Sequence, residues 1–209
     1  MSAPLKWRTM LFLLLFSGMR RGEACGLVWE DIDFENRLVH ITKANQYLSG
    51  KGIFETETKT PSSVRVIKLP SEMMAMLKEH KEWQSEERTK MGDRWEYSGK
   101  VFTQENGRPI HPDSVTAWTQ EFRESNDLPY FTPKALRHTS ATLLIMSGIP
   151  VRAVAGRLGH ANPSTTNTFY SHAIQTADAL ASDILGDIVK LKVSGSKPET
   201  EQKKKEVAL

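Results

Sequence analysis

The sequence predicts a mainly helical chain with one small antiparallel β-sheet, an α+β fold. Segments with helical start and stop signals cover most of the 209 residues. Alternation of apolar and polar residues, the pattern of a half-buried strand, is confined to two segments in the first third. Apolar residues make up 39% of the chain and are spread along it, which is enough to bury a core.

The pattern in the first third of the sequence predicts two helices and the start of the sheet. Residues 5–16 form the first helix, and Gly18 marks its end. Residues 21–28 predict a second, short helix. A turn at 31–33 leads into an alternating strand at 37–42.

The sheet is completed by a second alternating segment, 64–69. Its residues fall on two faces, one with Val64, Val66 and Lys68 and the other with Arg65, Ile67 and Leu69. Residues 43–63 between the strands are polar and contain Gly50 and Gly52. We therefore expect two or three short strands around a loop.

The remaining elements are helices, apart from a minor hairpin at 101–110. Ser71 is a good N-cap for a helix at 71–90, and Asp113 or Ser114 for one at 112–124. Helices at 132–147 and 150–158 are each followed by a glycine stop. Two more helices, at 164–170 and 173–185, complete the predicted domain.

Composition excludes several classes of protein. The single cysteine, Cys25, excludes a disulfide framework and a cysteine-based zinc site, and we expect it to be a small buried residue. The longest apolar run, 10–16, is too short to cross a bilayer, and no signal-peptide cleavage site follows it. The sequence has no Walker loop, GxGxxG, HExxH or GxSxG motif and no His/Cys metal spacing. If the chain is an enzyme, we therefore expect it to work without a metal or a bound cofactor.

Net charge alone gives little support for nucleic-acid binding. The chain carries +3, with 28 basic and 25 acidic residues. Six lysines and three glutamates lie in 190–209, which leaves 22 of each sign in 1–189. We predict a folded domain over 1–189 and a flexible basic tail over 190–209. Because basic and acidic residues are equal in number in 1–189, any basic patch there must come from the arrangement of the charges.

The segment 17–23 is the first candidate site. A glycine turn places Arg20 at the start of a helix, where backbone N–H groups favour anions. Glu23 lies three residues later and can hold the Arg20 guanidinium. A surface capping arrangement would use the same residues.

Three further segments carry candidate residues. Lys59 lies in the loop before the second strand. Lys134 and Arg137 share one helical face, where two cations repel unless an anion lies between them. His160 follows a glycine stop, and Tyr170 comes ten residues later. Taken alone, each segment is better explained without a site: Lys59 as a solvated loop lysine, Lys134 and Arg137 as a basic helix face, and Tyr170 as a tyrosine at the edge of a core.

Taken in order, these segments resemble the catalytic domain of the tyrosine recombinases, or phage-type integrases, over roughly residues 3–184. The family pattern is TG-x-R-x-x-E, a hairpin lysine, H-x-L-R-H, L-G-H and T-x-Y-S-H. This chain has S-G-M-R-R-G-E at 17–23, Lys59, K-A-L-R-H at 134–138, L-G-H at 158–160 and T-F-Y-S-H at 168–172. One position departs from the pattern, because Lys134 stands where the family usually has histidine.

The resemblance implies a tyrosine-recombinase catalytic-domain fold and a reaction. Such an enzyme is a site-specific recombinase that cuts and rejoins DNA through a 3′-phosphotyrosyl intermediate, for integration or excision of a mobile element or phage, without metal or ATP. Tyr170 would be the nucleophile, and Arg20, Arg137 and His160 would donate hydrogen bonds to the phosphate. Lys59 would give a proton to the leaving 5′ oxygen.

The resemblance also implies supporting residues and partners. Glu23 would hold Arg20, and Lys134 would act by its charge, since lysine is protonated near neutral pH. Arg20, Lys59, Lys134, Arg137 and His160 would contact DNA. We expect double-stranded DNA as the partner, a homotetramer on DNA with a monomeric isolated domain, no membrane association, and a cytoplasmic location in a bacterium. We also expect the chain to be a fragment that lacks the N-terminal core-binding and arm-binding domains of the family.

Three alternatives remain open from the sequence. Lys134 could mark a decayed site in a non-catalytic DNA-binding relative. The chain could be a helical interaction module, in which case the candidate residues would lie far apart. It could also be a type IB topoisomerase, which shares the chemistry, although the L-G-H and T-x-Y-S-H wording is typical of recombinases.

Overall fold

The first helix, α1 (Leu5–Ser17), forms the centre of the fold in a computed structural model that describes residues 3–57 and 64–160, together with Ile174 and Thr176. Its side chains Met10, Leu13 and Leu14 are fully buried, and it packs against two later helices, α3 (Ser71–Met91) and α5 (Pro133–Met146). The helix ends at Gly18, whose φ of 67° is the left-handed cap that only glycine adopts without strain. The predicted helix at 5–16 is confirmed.

A three-stranded antiparallel sheet contributes to the same hydrophobic core as α1. Its strands β1 (Ile32–Asp33), β2 (Leu38–Ile41) and β5 (Arg65–Lys68) run in the order β1-β2-β5, with Val39 opposite Ile67. The alternation predicted from the sequence sends Ile67 into the core. It sends Arg65 to the same buried face.

The polar segment after β2 was predicted to be a loop, but the structure shows strands in it. Most of it forms a second sheet, the hairpin of β3 (Lys43–Leu48) and β4 (Gly52–Glu57). This hairpin packs on α2 (Arg21–Gly26), where a Cβ on Gly22 or Gly26 would come within 2.9 or 3.0 Å of the β3 backbone. The glycines of α2 let its backbone come close to that of β3. Hydrophobic patterning does not predict this contact, because the strands are polar.

Helix α2 is shorter than the predicted 21–28. It ends at Gly26, and a 3₁₀ turn at Trp29–Asp31 follows. Cys25 lies on α2 and is fully buried, as expected.

The next two helices along the chain are α3 (Ser71–Met91) and α4 (Pro112–Ser125). Both predicted caps are wrong. Pro70 occupies the cap position of α3, and α4 is capped by His111, whose Nδ1 accepts a hydrogen bond from the Asp113 amide. The predicted hairpin at 101–110 is reduced to one bridge between Thr103 and Pro109. Val101 and Phe102, which precede this bridge, are fully buried in the core.

The last described helices are α5 (Pro133–Met146) and α6 (Val151–Leu158), which form a second core cluster. Thr132 caps α5 by accepting a hydrogen bond from the Ala135 amide at 3.1 Å, and α6 ends at Gly159 with a φ of 68°. The predicted helix 164–170 and the tail 190–209 lie outside the described residues. Of the predicted helix 173–185 only Ile174 and Thr176 are described, both helical. In the described part of the chain no helix combines the length and apolarity needed to cross a membrane.

Candidate active site

The C-terminal ends of α1 and α6 meet on the guanidinium of Arg137. This side chain extends from α5, where it is 9% exposed, and donates to Gly18 O at 2.5 Å and to Leu158 O at 2.8 Å. The last carbonyls of a helix have no partner within it and carry partial negative charge, so they suit a cation. Arg137 thus joins three helices at one point.

Arg20 reaches the same end of α6 from the start of α2. Its Nη2 donates to Gly159 O at 3.3 Å, and its Nη1 pairs with Glu23 Oε1 at 2.8 Å. Glu23 also accepts from the Arg20 backbone amide at 2.8 Å, which holds both ends of this residue. Arg20 keeps 47% of its side chain exposed, so its guanidinium faces the open side of the site.

His160 follows directly after the two carbonyls that Arg137 and Arg20 contact. Its amide donates to Ala155 O at 3.0 Å, which turns the chain back at the end of α6. Burial, followed by the charges of Arg137 and Arg20, lowers the pKa of His160 to about 4. The imidazole is therefore neutral near pH 7 and has one N–H donor and one acceptor nitrogen.

Positive charge is concentrated around this imidazole. Lys134 lies exposed on α5, one turn before Arg137, and His138 follows on the same helix. Burial and the charges of Lys134 and Arg137 lower the pKa of His138, and His138 is itself among the groups that lower the pKa of His160. An anion that binds here relieves repulsion between cations that the fold holds together.

Two arginines of this region were missed by the sequence analysis. Arg65 on β5 pairs with Glu23 through both carboxylate oxygens, at 2.7 and 3.2 Å, and its side chain is 6% exposed. Arg157 on α6 donates to Phe16 O at 2.8 Å. The signal for Arg65 was available, because it lies on the same strand face as the apolar Ile67, and a buried arginine requires an anionic partner.

The structure brings together Arg20, Glu23, Arg137 and His160, and places Lys134 on the helix that holds Arg137. Two candidate residues, Lys59 and Tyr170, lie outside the described residues. Within the described ranges, no three His, Cys, Asp or Glu side chains are grouped so that they could hold a metal ion.

The fold is that of a tyrosine recombinase catalytic domain, as solved structures of similar architecture show. The chain belongs to the phage integrase family, which it matches over residues 1–176. The predicted α+β class and the resemblance drawn from the motifs are both confirmed.

Relatives agree on this family. The chain is 36% identical over 190 residues to a tyrosine recombinase XerC-like protein of Caldanaerobacter subterraneus subsp. tengcongensis, covering 85% of this chain and 49% of that protein. It is 27% identical over 185 residues to the ICEBs1 integrase of Bacillus subtilis, covering 88% and 50%. The chain spans about half the length of these relatives.

A solved structure of the Tn1549 transposon integrase in complex with transposon right-end DNA is also similar. It has a TM-score of 0.73 and 27% identity, and the match covers 88% of this chain and 61% of that one. The XerA recombinase, with 19% identity and a TM-score of 0.60 over 83% of this chain and 62% of its own, supports the fold alone.

Proposed function

We propose that this chain is the catalytic part of a site-specific DNA recombinase, an integrase that cuts and rejoins DNA through a 3′-phosphotyrosyl intermediate. The observation that carries the proposal is the convergence of Arg20 and Arg137 on Gly159 and Leu158, the two residues before His160. Three motifs that are far apart in sequence thus form one cationic site.

The phosphate of DNA is the anion that this site suits best. Attack on a phosphodiester gives a five-coordinate transition state with more charge on its non-bridging oxygens. Guanidinium forks match the geometry of phosphate oxygens and remain charged at all relevant pH values. Arg20 and Arg137 are held by backbone carbonyls before any substrate arrives, and such pre-positioned donors are worth about 2.7–4 kcal/mol each in the transition state.

His160 and Lys134 have different parts in this proposal. His160 is neutral near pH 7, so it donates an N–H hydrogen bond to a phosphate oxygen without adding a full charge. Lys134 lies exposed one turn from Arg137 and stabilises both the phosphate and the phenolate of the nucleophile by its charge.

Tyr170 and Lys59 supply the bond-making and bond-breaking steps. The Tyr170 oxygen forms a bond to phosphorus and loses its proton to solvent, while the bond from phosphorus to the 5′ oxygen breaks. Lys59 gives a proton to that oxygen, which leaves as a hydroxyl. The phosphotyrosyl link keeps the energy of the phosphodiester, so a 5′ hydroxyl of another strand can attack and reseal it without ATP or metal.

We propose double-stranded DNA at attachment or recombination sites as the partner. The similar Tn1549 integrase is described in complex with transposon DNA, and other relatives are integrases and the transposase of Tn916 from Enterococcus faecalis, which favours a mobile element as the carrier. Exchange of two pairs of strands requires four protomers on DNA, and the isolated chain is proposed to be a monomer. Such a protein acts where bacterial DNA lies, in the cytoplasm.

The alternative of a non-catalytic DNA-binding relative depends on Lys134 alone. None of the comparisons supports a decayed site.

An adduct assay tests the proposal. The chain is incubated in EDTA with a pool of nicked duplexes of randomised sequence, in which the short strand beyond the nick diffuses away after cleavage. Protein bound covalently to DNA is isolated under denaturing conditions, and the duplex it enriches is used in later measurements. We expect an adduct that disappears in Tyr170→Phe and persists in Tyr130→Phe, whose tyrosine is exposed. An adduct that survives Tyr170→Phe, or a complete lack of adduct, contradicts the proposal.

A further inference from the structure

We infer that Arg65 is a positioning residue of the strand-cleavage reaction, acting on Arg20 through Glu23 and on His160 through Gly159. The inference rests on the proposed function, since it concerns the same site. It adds a residue on β5 that lies outside the motifs by which the family resemblance was drawn.

The first observation is a carboxylate shared between two guanidiniums. Glu23 is 3% exposed, and each of its oxygens accepts from both arginines. Oε1 accepts from Arg20 Nη1 at 2.8 Å and from Arg65 Nη1 at 3.2 Å. Oε2 accepts from the Arg20 amide at 2.8 Å and from Arg65 Nη2 at 2.7 Å. The fork of Arg65 therefore sets the plane of the carboxylate, and the carboxylate sets the position of Arg20.

The second observation is the balance of charge. Arg65 is buried and Arg20 is about half exposed, so the carboxylate between them is neutralised mainly from the buried side. The trio carries two positive charges and one negative charge, and the surplus lies on Arg20. Without Arg65, Glu23 would neutralise Arg20 and weaken its attraction for phosphate. Burial raises the pKa of Glu23, but its bonds to Arg65 and Arg20 outweigh this and hold the pKa below its ordinary value, so the carboxylate remains charged.

The third observation connects Arg65 to the end of α6. Its Nε donates to Arg157 O at 2.7 Å. Gly159 lies directly against the guanidinium, because a Cβ at this position would come within 2.8 Å of Arg65 Nη1. The same side chain therefore supports the carbonyl end of α6 and the residue that precedes His160. A displaced Arg65 would shift Arg20 and His160 together.

The experiment compares two substrates in the adduct assay. One is the selected duplex with an ordinary phosphodiester at the cleavage position. The other has a methylphosphonate there, in which a methyl group replaces one non-bridging oxygen and removes the negative charge. A misplaced or neutralised Arg20 slows attack on the charged phosphodiester much more than attack on the neutral linkage. The ratio of the two rates does not depend on the fraction of protein that is folded.

We expect Arg65→Gln to lower the rate on the phosphodiester about 100-fold, which is the usual effect of misplacing a reacting group by about 1 Å. The ratio of phosphodiester to methylphosphonate rates should fall about tenfold or more, as it should in Arg20→Gln. Arg65→Lys keeps the charge but loses the fork, so it should lie between wild type and Arg65→Gln. The matched control is Arg108→Gln, which breaks an exposed fork between Arg108 and Glu96 and should leave both rates unchanged.

Equal losses on both substrates would mean that Arg65 serves only the stability of the fold, and would overturn the inference. If Arg65→Gln does not fold, the ratio in Arg65→Lys decides, because that variant keeps a cation beside Glu23. Wild type and Tyr170→Phe are measured in parallel. An absent wild-type adduct overturns the proposed function and this inference with it, whereas a normal wild-type adduct with an unchanged ratio in the Arg65 variants overturns the inference alone.

Discussion

The guanidinium of Arg137 donates a hydrogen bond of 2.8 Å to the carbonyl of Leu158, which lies 21 positions further along the chain. The same guanidinium donates to Gly18 O. One planar fork therefore spans the ends of two helices, and the role of Arg137 in holding the fold and its proposed role in binding phosphate depend on the same geometry.

Arg137→Lys should separate charge from geometry. A lysine has one nitrogen and cannot reach Gly18 O and Leu158 O in the same way, so one carbonyl loses its donor. We expect the adduct rate to fall about 100-fold and the free energy of unfolding to fall by about 1–3 kcal/mol. The control is Arg152→Lys, at an exposed position of α6. Wild-type rate and stability in Arg137→Lys would contradict the assigned geometry.

The contact between Gly159 and Arg65 can be tested with a pair of glycines. Gly159 and Gly148 both have left-handed φ, 68° and 81°, but a Cβ would meet Arg65 at Gly159 and nothing within 4 Å at Gly148. Gly148→Ala should lower the free energy of unfolding by about 1 kcal/mol through backbone strain alone. Gly159→Ala should lower it by at least about 1 kcal/mol more, because Glu23 holds the guanidinium in place. Urea unfolding measures both, and equal losses would show that Arg65 yields freely.

The fold should lose stability in mild acid because of His80. This side chain is fully buried, and its Nε2 lies 2.8 Å from Val101 O. Burial, helped by the charge of Lys6, lowers the pKa of His80 to about 4, although the Val101 carbonyl opposes this. In the unfolded chain the pKa returns to its ordinary value of 6.5, so the unfolded state binds more protons between these values. Stability is therefore complete above 6.5 and is lost as the pH falls toward 4.

From pH 7 to about pH 5 this coupling should lower the free energy of unfolding by about 2 kcal/mol. Urea unfolding across that range checks it, and His80→Gln should remove that part of the slope. His40→Gln, at an exposed position, is the control. Because His160 also has a pKa of about 4, some acid sensitivity should remain in His80→Gln. An unchanged slope in His80→Gln would show that His80 is not the group responsible.

Lys134 is proposed to act by its charge, which predicts a specific pattern of variants. Lys134→Met should lower the adduct rate about tenfold, since it removes one cation from beside the phosphate. Lys134→His, with the residue usual in the family, should give a rate that depends on pH near the ordinary titration of histidine, about 6.5. Wild type should lack that dependence. Lys90→Met, on the exposed end of α3, serves as the control, and a wild-type rate in Lys134→Met would exclude the electrostatic role.

Lys100 and Lys43 both pair with Glu55, but Lys100 should contribute more to the free energy of unfolding. Lys100 is 8% exposed and donates to Gly26 O at 2.7 Å and to Glu55 at 2.6 Å, which ties the β3–β4 hairpin to the end of α2. Lys43 pairs with the same carboxylate at 3.0 Å but is 43% exposed. Lys100→Met leaves a buried carbonyl without this donor and should lower the free energy of unfolding by about 2–3 kcal/mol. Lys43→Met should change it by less than about 1 kcal/mol. Comparable losses from thermal or urea unfolding would contradict this ranking.

The helices were predictable because their signals are local. Glycines at 18 and 159 ended α1 and α6 where the sequence indicated, and α5 begins at Pro133, one residue from its predicted start, although the predicted caps of α3 and α4 were wrong. The β3–β4 hairpin was predicted as loop, because its polar residues pair backbone to backbone and meet α2 across glycines. No hydrophobic pattern marks such a contact.

Motifs and helix start and stop signals are properties of short segments, so the fold class, the family and most of the candidate residues could be predicted without coordinates. How those segments meet depends on tertiary packing. It placed the carbonyls that end α1 and α6 within reach of Arg137 and Arg20, and it buried Arg65 against Glu23. A guanidinium buried among residues that are distant in sequence takes its partners from packing, and packing depends on the whole chain.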